Sequence, residues 1–139
     1  MNTPKKVAGL WIDHREALIV FLSATAEPVV EHIPSGVESQ LRRYGVSPLD
    51  KPYEAQMVPD DDVREREFKG DLAKYYAAVA KALQPVSEIL IIGPGEAKHE
   101  LHKYLEKKHL GERVVGEEPA DKMTRKQILE RVHAHFAQA

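Results

Sequence analysis

The chain has 139 residues, no cysteine, 42% hydrophobic and 30% charged residues and a formal net charge of -2. That length suits one core able to fold without staples, and the missing thiols exclude disulfides, thiol nucleophiles and cysteinyl metal sites. Near-neutral charge speaks against a protein coated by nucleic acid, with no DNA partner expected, while leaving room for a local basic patch.

The opening Met1-Asn2-Thr3-Pro4-Lys5-Lys6 is too short and polar for a signal peptide, and no apolar run approaches the roughly 18 residues of a membrane span. The expectation is a cytoplasmic protein with no membrane partner. Two apolar segments, Lys6 to Ile12 and Glu16 to Leu22, are joined by Asp13-His14-Arg15-Glu16. A third, Pro28 to Ile33, follows the small residues Ser23-Ala24-Thr25-Ala26. Together they predict an antiparallel meander of three strands. The next segment, about 35–68, carries Pro48, Pro52, Pro59, the acidic triplet Asp60-Asp61-Asp62 and no sustained periodicity. It predicts a long mobile loop, and loops of that length inside one domain tend to be functional or disordered.

Helical spacing resumes after Gly70 with Leu72, Tyr76, Val79 and Leu83 inward, and stops at Pro85. The wholly apolar run Ile89-Leu90-Ile91-Ile92 has no polar face and predicts a strand covered on both sides, as in the parallel part of an α/β sheet. It breaks at Gly93-Pro94-Gly95 and passes into a second helix with Ala97, Leu101, Tyr104 and Leu105 inward, closed by Leu110-Gly111. Glu112 to Gly116 predicts a short strand, and Thr124-Arg125-Lys126-Gln127 has the form of a capping box opening a last helix that buries Ile128, Leu129, Val132 and Phe136. The expected fold is a single α/β domain over 1–139, in the order βββ-loop-αβαβα. Its mixed sheet of about five strands, three antiparallel and then parallel, has helices on both faces.

That order is the one found in ribonuclease H-like three-layer domains, and three stretches carry a narrower resemblance. They are Gly9-Leu10-Trp11-Ile12-Asp13-His14-Arg15-Glu16-Ala17, Ile92-Gly93-Pro94-Gly95-Glu96-Ala97-Lys98-His99-Glu100-Leu101, and Ala120-Asp121-Lys122-Met123-Thr124-Arg125-Lys126-Gln127-Ile128. The chain resembles the middle domain of archaeal and eukaryotic class I peptide-release factors, in a stand-alone bacterial form. The resemblance implies a component of the translational machinery with the ribosome or RNA as partner. In those factors a Gly-Gly-Gln tip between the third strand and the first helix promotes peptidyl-tRNA hydrolysis. The equivalent place here, Ser35 to Tyr44, has Gly36 and Gln40 separated by Val37, Glu38 and Ser39 and no paired glycines. Release activity is therefore not expected, and contact with RNA is the weaker inheritance.

Candidate RNA contacts are Arg42, Arg43, Tyr44, Arg64, Arg66 and Lys69 around the loop, where cations can neutralise phosphates and an aromatic face can stack on an unpaired base. Seven acidic residues, Glu38, Glu54, Asp60, Asp61, Asp62, Glu65 and Glu67, offset most of that charge, so a solvated loop stands as the bland account. Gly93, Gly95 and Lys98 form a candidate anion-binding turn at a helix start. They match neither phosphate-loop pattern, and Glu96 competes for the same helix dipole, which favours a structural turn.

Metal-dependent nuclease chemistry would need carboxylates on adjacent strand ends. Asp13 ends the first strand, but the central strand ends in Gly93, and Asp13 suits the tight turn before Arg15. The seven histidines form no His-Glu-x-x-His or comparable ligand set, so neither metal nor cofactor is expected. In the stretch Asp121-Lys122-Met123-Thr124, capping accounts for Asp121 and Thr124, and Lys122 is left to face a partner. Trp11 reads as core, or as a face meeting a second subunit. The reading is a non-hydrolytic ribosome- or RNA-associated factor. One alternative is a protein-interaction module or homodimer; the other is a hydrolase of an RNA-linked or phosphorylated substrate using Asp13 and Lys98.

Overall fold

The computed structural model of the chain describes residues 6–24, 26–36 and 61–137, the side chains of 61–68 excepted. Strands β1 (Lys6–Ile12), β2 (Glu16–Ser23) and β3 (Ala26–Pro34) come first. They are followed by helix α1 (Asp61–Leu83), β4 (Glu88–Gly93), α2 (Ala97–Lys107), a 3-10 turn (Gly111–Arg113), β5 (Val114–Pro119) and α3 (Arg125–Ala137). One five-stranded sheet has the order β3-β2-β1-β4-β5. The meander β1-β2-β3 is antiparallel, while β4 lies parallel to both β1 and β5. This is the α/β architecture expected from the sequence.

Strand alternation sorts the side chains between two layers. Ala8, Leu10 and Ile12 of β1, Ala17, Ile19 and Phe21 of β2, and Ile89 and Ile91 of β4 share one core with Leu72, Tyr76, Val79 and Leu83 of α1 and Leu101 and Leu105 of α2. Trp11, Val20, Leu90 and Ile92 face the other way and meet Ile128 and Val132 of α3. The four aliphatics of β4 are all at most 1% exposed, so both of its faces are covered, as its unbroken apolar run requires. Burying each such side chain contributes roughly 1.5–3 kcal/mol, and β4, like β1 and β2, contributes to both cores.

Three boundaries differ from the sequence reading. The segment expected as loop to about 68 is helical from Asp61, and α1 runs through Gly70. Asp61 and Asp62 occupy its first turn, where the helix dipole favours acidic residues, and the packing of Leu72, Tyr75 and Tyr76 farther along outweighs the cost of roughly 1 kcal/mol for a mid-helix glycine. The last strand extends beyond Gly116 to Pro119, because Glu117 and Glu118 pair with Ile91 and Ile92 of β4. Helix α2 closes on His109, which adopts the left-handed conformation at φ 64°. Leu110 N donates to Leu105 O at 2.8 Å and His109 N to Glu106 O at 3.1 Å. That pair of bonds is a Schellman closure, and it seats the buried Leu110. Residues 37–60, including Arg42, Arg43 and Tyr44, lie outside the described residues.

Candidate functional site

In open α/β sheets, ligands gather at the carboxyl ends of neighbouring parallel strands whose connections leave in opposite directions. Here those strands are β1, which continues to β2, and β4, which continues through α2 to β5. Their ends bring Asp13 and His14 beside Gly93-Pro94-Gly95. The approach is tight: a Cβ on Gly93, whose φ is 154°, would lie 2.1 Å from the Ile12 carbonyl oxygen. Gly95 has φ 63° with open space around it. Gly93 O accepts a hydrogen bond from Ala120 N at 3.1 Å, and Trp11 Nε1 donates to Asp121 O at 3.0 Å. The Asp-Lys-Met-Thr stretch therefore crosses the ends of β1 and β4 on its way to α3.

At this end the side chains of Asp13, Lys98 and Thr124 are engaged by the fold. Asp13 Oδ1 accepts from Arg15 N at 2.8 Å and Glu16 N at 2.9 Å, closing the β1–β2 hairpin. Lys98 is 7% exposed, and its Nζ donates to Gly95 O at 2.6 Å, back across its own turn. Asp121 acts through its backbone carbonyl, and its side chain and that of Lys122 are exposed. Thr124 and Gln127 form the reciprocal capping box: Thr124 N donates to Gln127 Oε1 at 2.9 Å, and Gln127 N to Thr124 Oγ1 at 3.1 Å. Among the described residues no group of three or more His, Asp and Glu side chains is arranged to hold a metal ion.

A polar network that the sequence did not announce joins α1 and α2 to the end of β1. Tyr75 donates to Asp13 O at 3.0 Å and Tyr76 to Glu100 Oε1 at 2.6 Å, and His14 Nε2 lies 2.9 Å from the same Glu100 oxygen. Burial, and then the charge of Asp13, raises the Tyr75 pKa far above its ordinary value; burial, and then the hydrogen bond to Glu100, does the same for Tyr76. Both hydroxyls stay protonated as donors. The available signal was Tyr76 itself, because a tyrosine at a buried helix position needs a partner for its hydroxyl. The spacing of His99 and His102 put them on one face, but their shared partner was not foreseen. Glu117 of β5 takes Nδ1 of His102 at 2.7 Å and Nδ1 of His99, while the adjacent Glu118 points to the other layer and pairs with Arg131 of α3. Successive residues of β5 thus fasten α2 on one face and α3 on the other.

Of the loop-associated cations, Arg64 and Arg66 lie on the first turns of α1, and Lys69 is exposed on the same helix. Lys69 lines a groove of about 630 Å³ between α1 and α2, together with Leu72 and Tyr76 of α1 and Glu100, Lys103, Tyr104 and Lys107 of α2. The Tyr104 ring is half-buried, 6.4 Å from that of Tyr76, with Lys108 Nζ 5.5 Å from its centroid. Lys103, Tyr104 and Lys107 were not among the sequence candidates, because only the packing of the two helices gathers them beside Lys69.

No protein-family model matches the sequence, and no curated protein matches it significantly. The fold is similar to that of the Pelota protein of Thermoplasma acidophilum, with a TM-score of 0.57 at 18% identity, covering 98% of this chain and 33% of that one. It is also similar to the archaeal translation termination factor aRF1, with a TM-score of 0.59 at 16% identity, covering 96% of this chain and 35% of that one. The chain thus spans about a third of each of these proteins, and at such identities the likeness establishes a shared release-factor-like domain fold.

Proposed function

We propose that this chain is a translation-related factor that acts in the cytoplasm on the ribosome or its RNA and does not hydrolyse peptidyl-tRNA. The observation that carries the reading is the likeness of nearly the whole chain to part of an archaeal translation termination factor. The three resembling stretches support it, since they form the β1–β2 hairpin, the β4–α2 turn and the entry to α3. The missing Gly-Gly-Gln at Gly36 to Gln40 supports the non-hydrolytic part. So does the engagement of Asp13 and Lys98 in their own turns, which argues against the hydrolase alternative. RNA is contacted through Arg42, Arg43, Tyr44, Arg64, Arg66 and Lys69.

The test is co-sedimentation with ribosomes and bulk RNA between about 50 and 200 mM salt, since phosphate contacts release counterions and weaken steeply over that range. Wild type is expected to sediment at low salt. A variant carrying Arg42→Glu, Arg43→Glu, Arg64→Glu and Arg66→Glu is expected to stay in the supernatant. Failure of wild type to sediment even at the lowest salt would sink the reading and point to a protein partner.

A further inference from the structure

We propose that the groove between α1 and α2 is a seat for single-stranded RNA, with phosphates on Lys103 and Lys107 and a base on the ring of Tyr104. The inference deepens the RNA reading above and rests on it for the choice of ligand. It names a surface that the reading lacks.

The charge of the groove is opposite to that of the chain. The chain as a whole carries a net charge of -2, yet the groove is lined by three lysines and one carboxylate. That carboxylate, Glu100, is already engaged by the Tyr76 hydroxyl at 2.6 Å and by His14 at 2.9 Å. The groove is therefore a cationic place on a faintly anionic molecule, and its occupant should be an anion.

Cations and an aromatic ring alternate along α2. Lys103 and Lys107 are one helical turn apart, about 6 Å along the axis, and both are exposed on one side. Between them Tyr104 offers a half-buried ring, with Lys108 at 5.5 Å from its centroid. A nucleic acid strand alternates in the same way, phosphate and then planar base, and each base can stack on an aromatic face whatever its identity. An acidic peptide would satisfy the lysines but has no recurring planar group to place on Tyr104. The apolar side chains of Leu72 and Tyr76 complete the wall against which a base can lie.

Binding of a labelled oligouridylate of about ten nucleotides to the full chain, followed by fluorescence anisotropy across a salt series, tests the proposal. Each lost phosphate contact lowers the slope of log affinity against log salt by about 0.7, so Lys103→Glu with Lys107→Glu should lower it by about 1.4 and weaken low-salt binding at least about tenfold. Tyr104→Leu should weaken binding about tenfold with the slope unchanged, and Tyr104→Phe, which keeps the ring, should bind like wild type. Both lysines are exposed, so their replacement leaves the fold intact.

If the lysine pair and Tyr104→Leu bind like wild type while Arg42→Glu with Arg43→Glu abolishes binding, the groove is overturned and the RNA reading stands. If the oligonucleotide binds through the groove but ribosomes are not bound, the groove stands and the translation role falls. Failure of wild type to bind the oligonucleotide overturns the groove outright. So does tighter binding of a polyglutamate peptide of about ten residues, which would assign the groove to a protein partner.

Discussion

Gly93 stands at the end of β4, where a two-metal nuclease of this architecture would place a carboxylate, and the geometry leaves no room for any side chain. Its φ of 154° and the 2.1 Å approach of a virtual Cβ to Ile12 O predict that Gly93→Ala destabilises the protein by about 3 kcal/mol or more. Gly95→Ala has only its φ of 63° to contend with and should cost about 1 kcal/mol. Urea unfolding of the two variants checks the order, and equal losses would contradict the close approach. The glycine turn was visible in the sequence, and so was its weakness as a phosphate loop. What the Lys98 ammonium does was not visible. Its bond to Gly95 O depends on burial between α2 and the sheet end, and neither spacing nor composition encodes that direction. His109 gives the same lesson: Gly111 looked like the helix closer, but the register of Leu110 in the core put a histidine in the left-handed position.

Elements were legible wherever one period dominated. The unbroken apolar run of β4 and the helical spacing of Leu72, Tyr76, Val79 and Leu83 needed no tertiary information. The second half of β5 and the first turns of α1 are polar, so their extent depends on partners: the β4 ladder for Glu117 and Glu118, and the packed remainder of the helix for the turns after Asp61. The seating of α3 turns on a single position. A Cβ on Gly9 would lie 2.5 Å from Val132 Cγ2, so α3 rests directly on the β1 backbone. Gly9→Ala should destabilise by about 1–3 kcal/mol through overpacking. Val132→Ala should cost about 2 kcal/mol through the cavity it leaves. Combined, the two should cost clearly less than their sum, as expected of groups in contact. A strictly additive double mutant in chemical denaturation would show that helix and strand do not meet there.

Across the whole molecule, the element order and the mixed sheet followed from the alternation of elements, whereas the strand order β3-β2-β1-β4-β5 and the candidate groove did not, because the groove exists only once α1 and α2 lie side by side. Lys69 was singled out for its place after the loop; Lys103 and Lys107 were not singled out at all. The paired tyrosines of that side also set how the fold responds to alkali. In the unfolded chain each ionises near pH 10, while in the folded protein burial keeps both protonated well above that. Above about pH 10 the unfolded state therefore binds fewer protons, and stability should fall with rising pH by up to about 1.4 kcal/mol per unit for each tyrosine. Urea midpoints between about pH 8 and 11 should show that decline, and Tyr76→Phe should roughly halve its slope; an unchanged slope would mean the hydroxyl is not held in the neutral form. The opposite face carries a different kind of witness. Trp11 is the only tryptophan in the chain, 3% exposed and tied through its indole nitrogen to Asp121 O. A change in its emission therefore marks the moment at which the approach to α3 parts from the sheet.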